Sequence, residues 1–259
     1  MERRVSCEVC NSSIGGTLVS VFPNIIMKVP ANASMQEKST IYESAVNSPR
    51  EMSLLEFLKL GEKYREVIER LRSCEDKEIR NKIKRTELPC ATISASFTSR
   101  ASSKAVEEKL KRYNSLMVLD FDNLEDPAAA KEELSQLPFF WYIGLSVGGK
   151  GLFGIVPLGT DDFKEHKVYF NALRKELEVF GYEVDKACCD VTRLRVVSYD
   201  PDAFFNENCE VFCIDEREED DGEVYSSGPV PERAQDRSSR IELYVLEWEK
   251  RHVPLDDYQ

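Results

Sequence analysis

Two apolar segments, Phe139–Ser146 and Leu152–Pro157, are separated by only five residues, Val147-Gly148-Gly149-Lys150-Gly151. A parallel crossover needs roughly a dozen residues or more, so these segments are antiparallel neighbours joined by a tight turn. A third apolar segment, Ser115–Phe121, precedes them. Between the first and second, Pro127 to Leu137 reads as a helix, with Pro127 in the first turn, where its missing N–H costs nothing. After the third comes a helix from Asp162 to about Phe180. Phe163, Val168, Phe170, Leu173, Leu177 and Phe180 supply its apolar contacts, and Gly181 ends it. Short strands alternating with crossing helices predict an α+β fold: a mixed or antiparallel sheet backed by helices.

The flanking regions extend this pattern. Thr17–Phe22 and Ile25–Val29 are β-like. Ser53 is a good N-cap for a helix starting near Leu54, with Glu56 completing a capping box. Gly61 ends or interrupts that helix, and Glu62 to about Ile83 continues as a second. Cys90–Phe97 reads as a strand, Ser102 to about Arg112 as a short helix and Arg193–Tyr199 as a strand. The expected organisation is one α+β domain over residues 1–214. It has an N-terminal lobe at about 15–112, a central sheet lobe at about 113–214 and a cleft between them. Residues 215–237 form an acidic linker, and 238–259 form a C-terminal segment with a short helix at Arg240–Trp248. The like charges beyond Ile214 repel and gain little by packing, so this tail is expected to be dispensable for folding.

The formal net charge of −12 excludes a protein that coats nucleic acid through charge alone. Most of that charge lies beyond Cys213, and the balance between Cys74 and Arg112 is basic. No apolar run has the length of a membrane span, and no apolar signal core follows the charged first residues, so a cytoplasmic location without a membrane partner is expected. The eight cysteines are expected to be thiols, several of them buried. Cys7 and Cys10 have zinc-knuckle spacing, and Cys209 and Cys213 could supply a second pair, although no histidine lies near either.

Four features carry candidate chemistry. Asp120 and Asp122 end an apolar strand and point to one face, while Phe121 points to the other. Such a pair can chelate Mg²⁺ or Mn²⁺. Ser146, Gly148, Gly149, Lys150 and Gly151 form a turn whose backbone N–H groups could approach phosphate, with Lys150 adding positive charge. The spacing is neither that of a P-loop nor that of a dinucleotide fingerprint. Asp185 could complete a metal site, with Asp190 competing for that role. Arg193 and Arg195 alternate onto one face, either as internal salt-bridge partners or as clamps for triphosphate.

The order Asp-x-Asp, then S-x-G-G-x-G, then V-D…D-x-x-R-L-R-x-x-S-Y-D-P resembles the virulence-protein-E N-terminal-like family of bacterial mobile elements. The Lys82-x-Lys84…Leu88-Pro89…Ser94-x-x-Phe97-x-x-Arg100 stretch resembles that family's segment before the acidic strand. The family is itself similar to the archaeo-eukaryotic primase catalytic domain. The resemblance implies a two-lobed, primase-like fold with the acidic residues on an exposed sheet face. It implies metal binding by Asp120, Asp122 and Asp185, and phosphate binding by the glycine turn, Lys150, Arg193 and Arg195. Phe153 stands where active primases carry a histidine; it can neither donate to a phosphate nor titrate. His166 is expected to rest on the surface of the following helix or to cap a local contact. The implied function is a catalytically weakened or inactive primase-like domain that binds nucleoside triphosphate or single-stranded nucleic acid in mobile-element replication. The alternatives are an active metal-dependent primase/polymerase, and a non-catalytic structural or partner-docking domain, the partner being a helicase or another replication protein.

Overall fold

The computed structural model describes residues 38–42, 50–98, 105–214 and 236–251. The expected strands at Thr17–Phe22 and Ile25–Val29, the Cys7–Cys10 pair and the acidic run after Ile214 lie outside these residues. The fold is α+β with antiparallel sheets, as expected.

Two four-stranded sheets face each other. The first runs β2 (Arg50–Ser53), β1 (Lys38–Tyr42), β3 (Cys90–Thr92), β9 (Leu194–Val196). The second runs β10 (Phe204–Phe205), β7 (Tyr142–Leu145), β8 (Leu152–Pro157), β6 (Leu116–Phe121). A ribbon of β4 (Ala95–Phe97) and β5 (Leu110–Tyr113) stands beside them. The hairpin of the five-residue turn is β7–β8, with Leu145 opposite Leu152. β9 enters from late in the chain and pairs with β3, placing Arg195 opposite Ala91.

The capping box forms as the sequence predicts. Glu56 N–H donates to Ser53 Oγ at 3.2 Å, and Ser53 N–H donates to the Glu56 carboxylate at 2.9 Å, starting α1 (Leu54–Lys63). Gly61 does not end this helix. It is where the helix backbone meets the 198–199 segment, since a Cβ there would lie 2.1 Å from the Ser198 carbonyl oxygen. The helix expected over Glu62–Ile83 is two, α2 (Arg65–Ser73) and α3 (Lys77–Thr86). The break comes at Asp76, whose carboxylate accepts from Glu78 N–H and Ile79 N–H and so begins a new helix.

Two further expectations are corrected. Cys90–Phe97 is not one strand: Thr92 Oγ1 donates to the Ala95 carbonyl, and Asn114 Nδ2 donates to the Ile93 carbonyl at 2.7 Å. These bonds turn the chain from the first sheet into the ribbon. Of the helix expected at Ser102–Arg112, the described residues show α4 (Val106–Lys109), and Leu110–Tyr113 is instead a strand paired with β4.

Alternation along β6 divides the interior. Met117, Leu119 and Phe121 join Ile143, Leu152 and Val156 in an outer core. That core is covered by α5 (Pro127–Ser135), α6 (His166–Val179) and α7 (Arg237–Arg251). Ile241, Tyr244 and Trp248 of α7 are buried in it, and Trp248 Nε1 donates to Glu210 at 2.8 Å. This burial runs against the expectation that everything beyond Ile214 is dispensable. The inner face carries Leu116, Val118, Phe153 and Ile155, packed against Phe57 of α1, Ile68 and Leu71 of α2, Ile83 of α3, and Val197 just after β9.

Candidate functional site

Asp120 follows Leu116 and Val118 on the inner face of β6. It sits opposite Phe153 of β8, which in turn sits opposite Gly144 of β7. The face is not exposed: the first lobe covers it, and Asp120 is 6% accessible. Burial is sustained by an ion pair across the seam. Arg195, carried by β9 of the first sheet, donates from Nη2 to Asp120 Oδ1, and both groups are buried. The Arg195 guanidinium lies 4.8 Å from the centre of the Phe153 ring, which is itself 5.0 Å from the Tyr142 ring. Phe153 is thus a buried platform beneath an arginine.

Asp185 is brought to the same place by its backbone, whose N–H donates to the Asp120 carbonyl at 2.9 Å. Its carboxylate accepts from Ala187 N–H at 3.0 Å and from Arg193 Nη2 at 2.7 Å. Arg193 also lies 3.8 Å from Asp120 Oδ2. Cys188, in the short 3₁₀ turn Lys186–Cys189, points its thiol at Asp120 Oδ2 at 3.7 Å. Burial, then the Asp120 charge, pushes that thiol up to about 12. Ligand atoms of Asp120, Asp185 and Cys188 lie within 4.8 Å of one another.

Asp122 lies just past the strand, exposed to solvent. Partial burial and the charges of Asp120 and Asp185 raise its carboxyl above the usual carboxylate range. Asp190 does not compete for the cluster; it accepts from Thr192 N–H at 2.8 Å and from the Thr192 hydroxyl at 2.9 Å. Among the described residues no metal-spaced group includes Cys209 or Cys213.

The glycine turn lies beside Asp122. Gly151 packs where a Cβ would meet the Phe121 carbonyl oxygen at 2.2 Å, and Leu124 N–H donates to the Lys150 carbonyl at 3.2 Å. Ser146 N–H donates to the Gly151 carbonyl at 2.8 Å, and Gly149 N–H donates back to the Ser146 carbonyl at 2.9 Å. Gly149 has φ +73°, which favours glycine, whereas the space at Gly148 is open. Lys150 is exposed. Arg72 of α2, which the sequence did not signal, anchors the turn. It donates to the Ser146 carbonyl at 3.2 Å and to the Tyr199 carbonyl at 2.7 Å. Burial lowers its affinity for the proton, yet these acceptors keep it in place.

The R-L-R-x-x-S-Y-D-P run therefore has a physical reading. Arg193 and Arg195 hold the two acids. Ser198 donates to the Leu145 carbonyl at 2.6 Å. Asp200 accepts from Leu145 N–H at 2.9 Å and pairs with Lys131 at 2.9 Å. Arg193, Arg195, Ser198 and Asp200 of the run thus fasten the seam.

His166 is not on a helix surface. It is 2% accessible at the first turn of α6, with Nδ1 at 2.8 Å from the Tyr113 hydroxyl and Nε2 buried without a hydrogen-bond partner. Burial drives its pKa down to about 4.

Two carboxylates are a fair start for a hard cation, but the third donor is a protonated thiol, a poor ligand for Mg²⁺ or Mn²⁺. Both carboxylates are already paired with guanidinium groups. As folded, both acids are held in ion pairs, although Arg195 Nε is buried without a hydrogen-bond partner, and the cluster does not present a ready site for a resident hard cation.

The model of the BT4734-like, N-terminal domain family matches residues 83–205, just under half of the chain. Asp120, Asp185, Arg193, Arg195 and the glycine turn all lie inside that match. No curated protein and no solved structure matches the chain.

Proposed function

We propose that this is a primase-like domain of the virulence-protein-E N-terminal-like kind. It binds nucleoside triphosphate or single-stranded nucleic acid at the seam and performs little or no nucleotidyl transfer. The observation that carries this reading is the arrangement around Asp120. The acids sit at the sheet position that the family pattern reserves for metal, but Arg193 and Arg195 hold them, and Phe153 lies beneath Arg195. Guanidinium groups that pair with carboxylates pair with phosphates as well, so Arg193, half exposed at the rim, can exchange Asp185 for a phosphate oxygen. The glycine turn, with Lys150 exposed on it, is adjacent. Mg²⁺ or Mn²⁺ belongs to this reading only as a companion of the triphosphate. A replication protein such as a helicase would be the working partner in a mobile element.

A template-directed synthesis assay with Mn²⁺ and labelled nucleotide tests the reading. Little or no product is expected from the natural protein, since loss of one transition-state donor removes about two to three orders of magnitude in rate. Phe153→His is expected to raise any incorporation, and Asp120→Ala to abolish it. Robust synthesis by the unaltered protein would replace this reading with that of an active primase.

A structural reading also has an observation in its favour: the ion pairs leave no carboxylate of the cluster unpaired except the exposed Asp122. Failure to bind triphosphate or single strands would select it.

A further inference from the structure

Helix α3 carries five cations, Lys77, Arg80, Lys82, Lys84 and Arg85, in ten residues. They are not equivalent. Lys77, Lys82 and Arg85 are exposed, whereas Arg80 and Lys84 are half-buried. Arg80 and Lys84 stand four residues apart and share one stripe of the helix, beside Ile83, which is packed into the seam core. The charges around the Lys84 ammonium are Arg80, Asp122 and Arg195, so this stripe borders the acid cluster. Neither Arg80 nor Lys84 makes an ion pair or a side-chain hydrogen bond among the described residues, unlike Arg70 on the preceding helix, which pairs with Glu87. Holding like charges together in a part-buried place is unfavourable unless an anion joins them.

We infer that Arg80 and Lys84 form a phosphate-binding site at the rim of the acid cluster. The site takes a phosphate of a bound strand or of a nucleotide. This rests on the reading that the seam binds such a ligand, and it names two residues beyond the sheet and the glycine turn that do so. Burial, then the neighbouring Arg80, lowers the affinity of Lys84 for its proton, with Asp122 acting the other way. A phosphate would supply charge-assisted hydrogen bonds to both side chains and relieve their repulsion. The exposed Lys82, two residues away, points elsewhere and serves as an internal control.

The experiment uses the full chain, a fluorescein-labelled single-stranded 12-mer read by anisotropy, and a nucleoside triphosphate read by calorimetry. Lys84→Ala and Arg80→Ala are each expected to weaken binding about tenfold, the size of one charge-assisted hydrogen bond. Lys84→Arg should retain affinity, and Lys82→Ala should change it less than about twofold. The slope of log affinity against log salt for the strand should fall by about one in Lys84→Ala. Loss confined to the 12-mer would assign the site to the strand backbone, and loss confined to the triphosphate would assign it to the nucleotide; both support a phosphate site. Lys84→Gln keeps the stem and replaces Lys84→Ala should that variant fail to fold. Unchanged binding in Lys84→Gln and Arg80→Ala, or equal loss in Lys82→Ala, would overturn the site while leaving the seam reading intact. Absence of binding by the unaltered protein would instead overturn the seam reading, and this inference with it.

Discussion

The β10-β7-β8-β6 sheet buries both its faces, but in different ways. On the outer face, three helices cover the strands with Leu134, Phe170, Leu173, Leu177, Ile241 and Trp248, and burial of apolar surface accounts for the contact. On the inner face, Leu116, Val118 and Ile155 do the same work over part of the strand length, but the row ends in Asp120, Phe153 and Arg195. Polar pairing there joins two sheets brought together from distant parts of the chain. A buried ion pair is weak support for stability, since water solvates the separated charges well. On the proposed reading, a face that keeps one where leucine would serve meets a demand other than folding. The outer face is built to stay shut, and the inner one to hold charge next to a rim that solvent reaches.

Cutting the chain at Ile214 attacks the outer face and should have the largest effect. It removes Ile241, Tyr244 and Trp248 from the core, and single large-to-small changes at such sites cost about 2–5 kcal/mol each. Loss of cooperative unfolding in a thermal scan is expected. A truncated chain with an unchanged transition would show that α7 adds nothing to the outer core.

On the inner face, Asp120→Ala should cost about 3–5 kcal/mol in a urea titration, because it leaves the Arg195 guanidinium buried without its counter-charge. The combined Asp120→Leu, Arg195→Met variant should be far less destabilised than either single change. Additive losses in this cycle would mean that the pair does not couple the sheets.

His166 packs where the ribbon meets α6, and it gives a pH test. Its pKa is about 4 in the folded chain against an ordinary 6.5. The unfolded chain therefore binds the proton more readily between these values. The stability that depends on a neutral ring is complete above pH 6.5, declines as pH falls, and is fully lost below pH 4. The total is about 3 kcal/mol. His166→Gln keeps an acceptor for Tyr113 and should flatten this part of the stability profile; an unaltered profile would show that another group titrates there.

The local features were legible in the sequence. The β7–β8 hairpin follows from a five-residue gap, and the α1 cap from Ser53 and Glu56. What was not legible depended on partners far away in the chain. Arg72 looks like one more charge on a helix until the turn carbonyls of Ser146 and Tyr199 arrive beside it. Gly61 looks like a helix terminator until the Ser198 backbone is seen against it. His166 falls at the first turn of an amphipathic helix, and its period gives no sign that the ribbon will cover it. Leu110–Tyr113 continues a helical run in charge and size, and only its pairing with β4 makes it a strand. Cys188 came to Asp120 through a 3₁₀ turn that has no periodic signature.

The most direct test of the inner face is a calorimetric titration of nucleoside triphosphate into the full chain in EDTA, repeated with Arg193→Ala. If the arginines of the seam exchange carboxylate for phosphate, the triphosphate binds without a divalent cation, and Arg193→Ala weakens it about tenfold. Binding that requires the metal and is indifferent to Arg193→Ala, or no binding of triphosphate at all, would contradict that exchange.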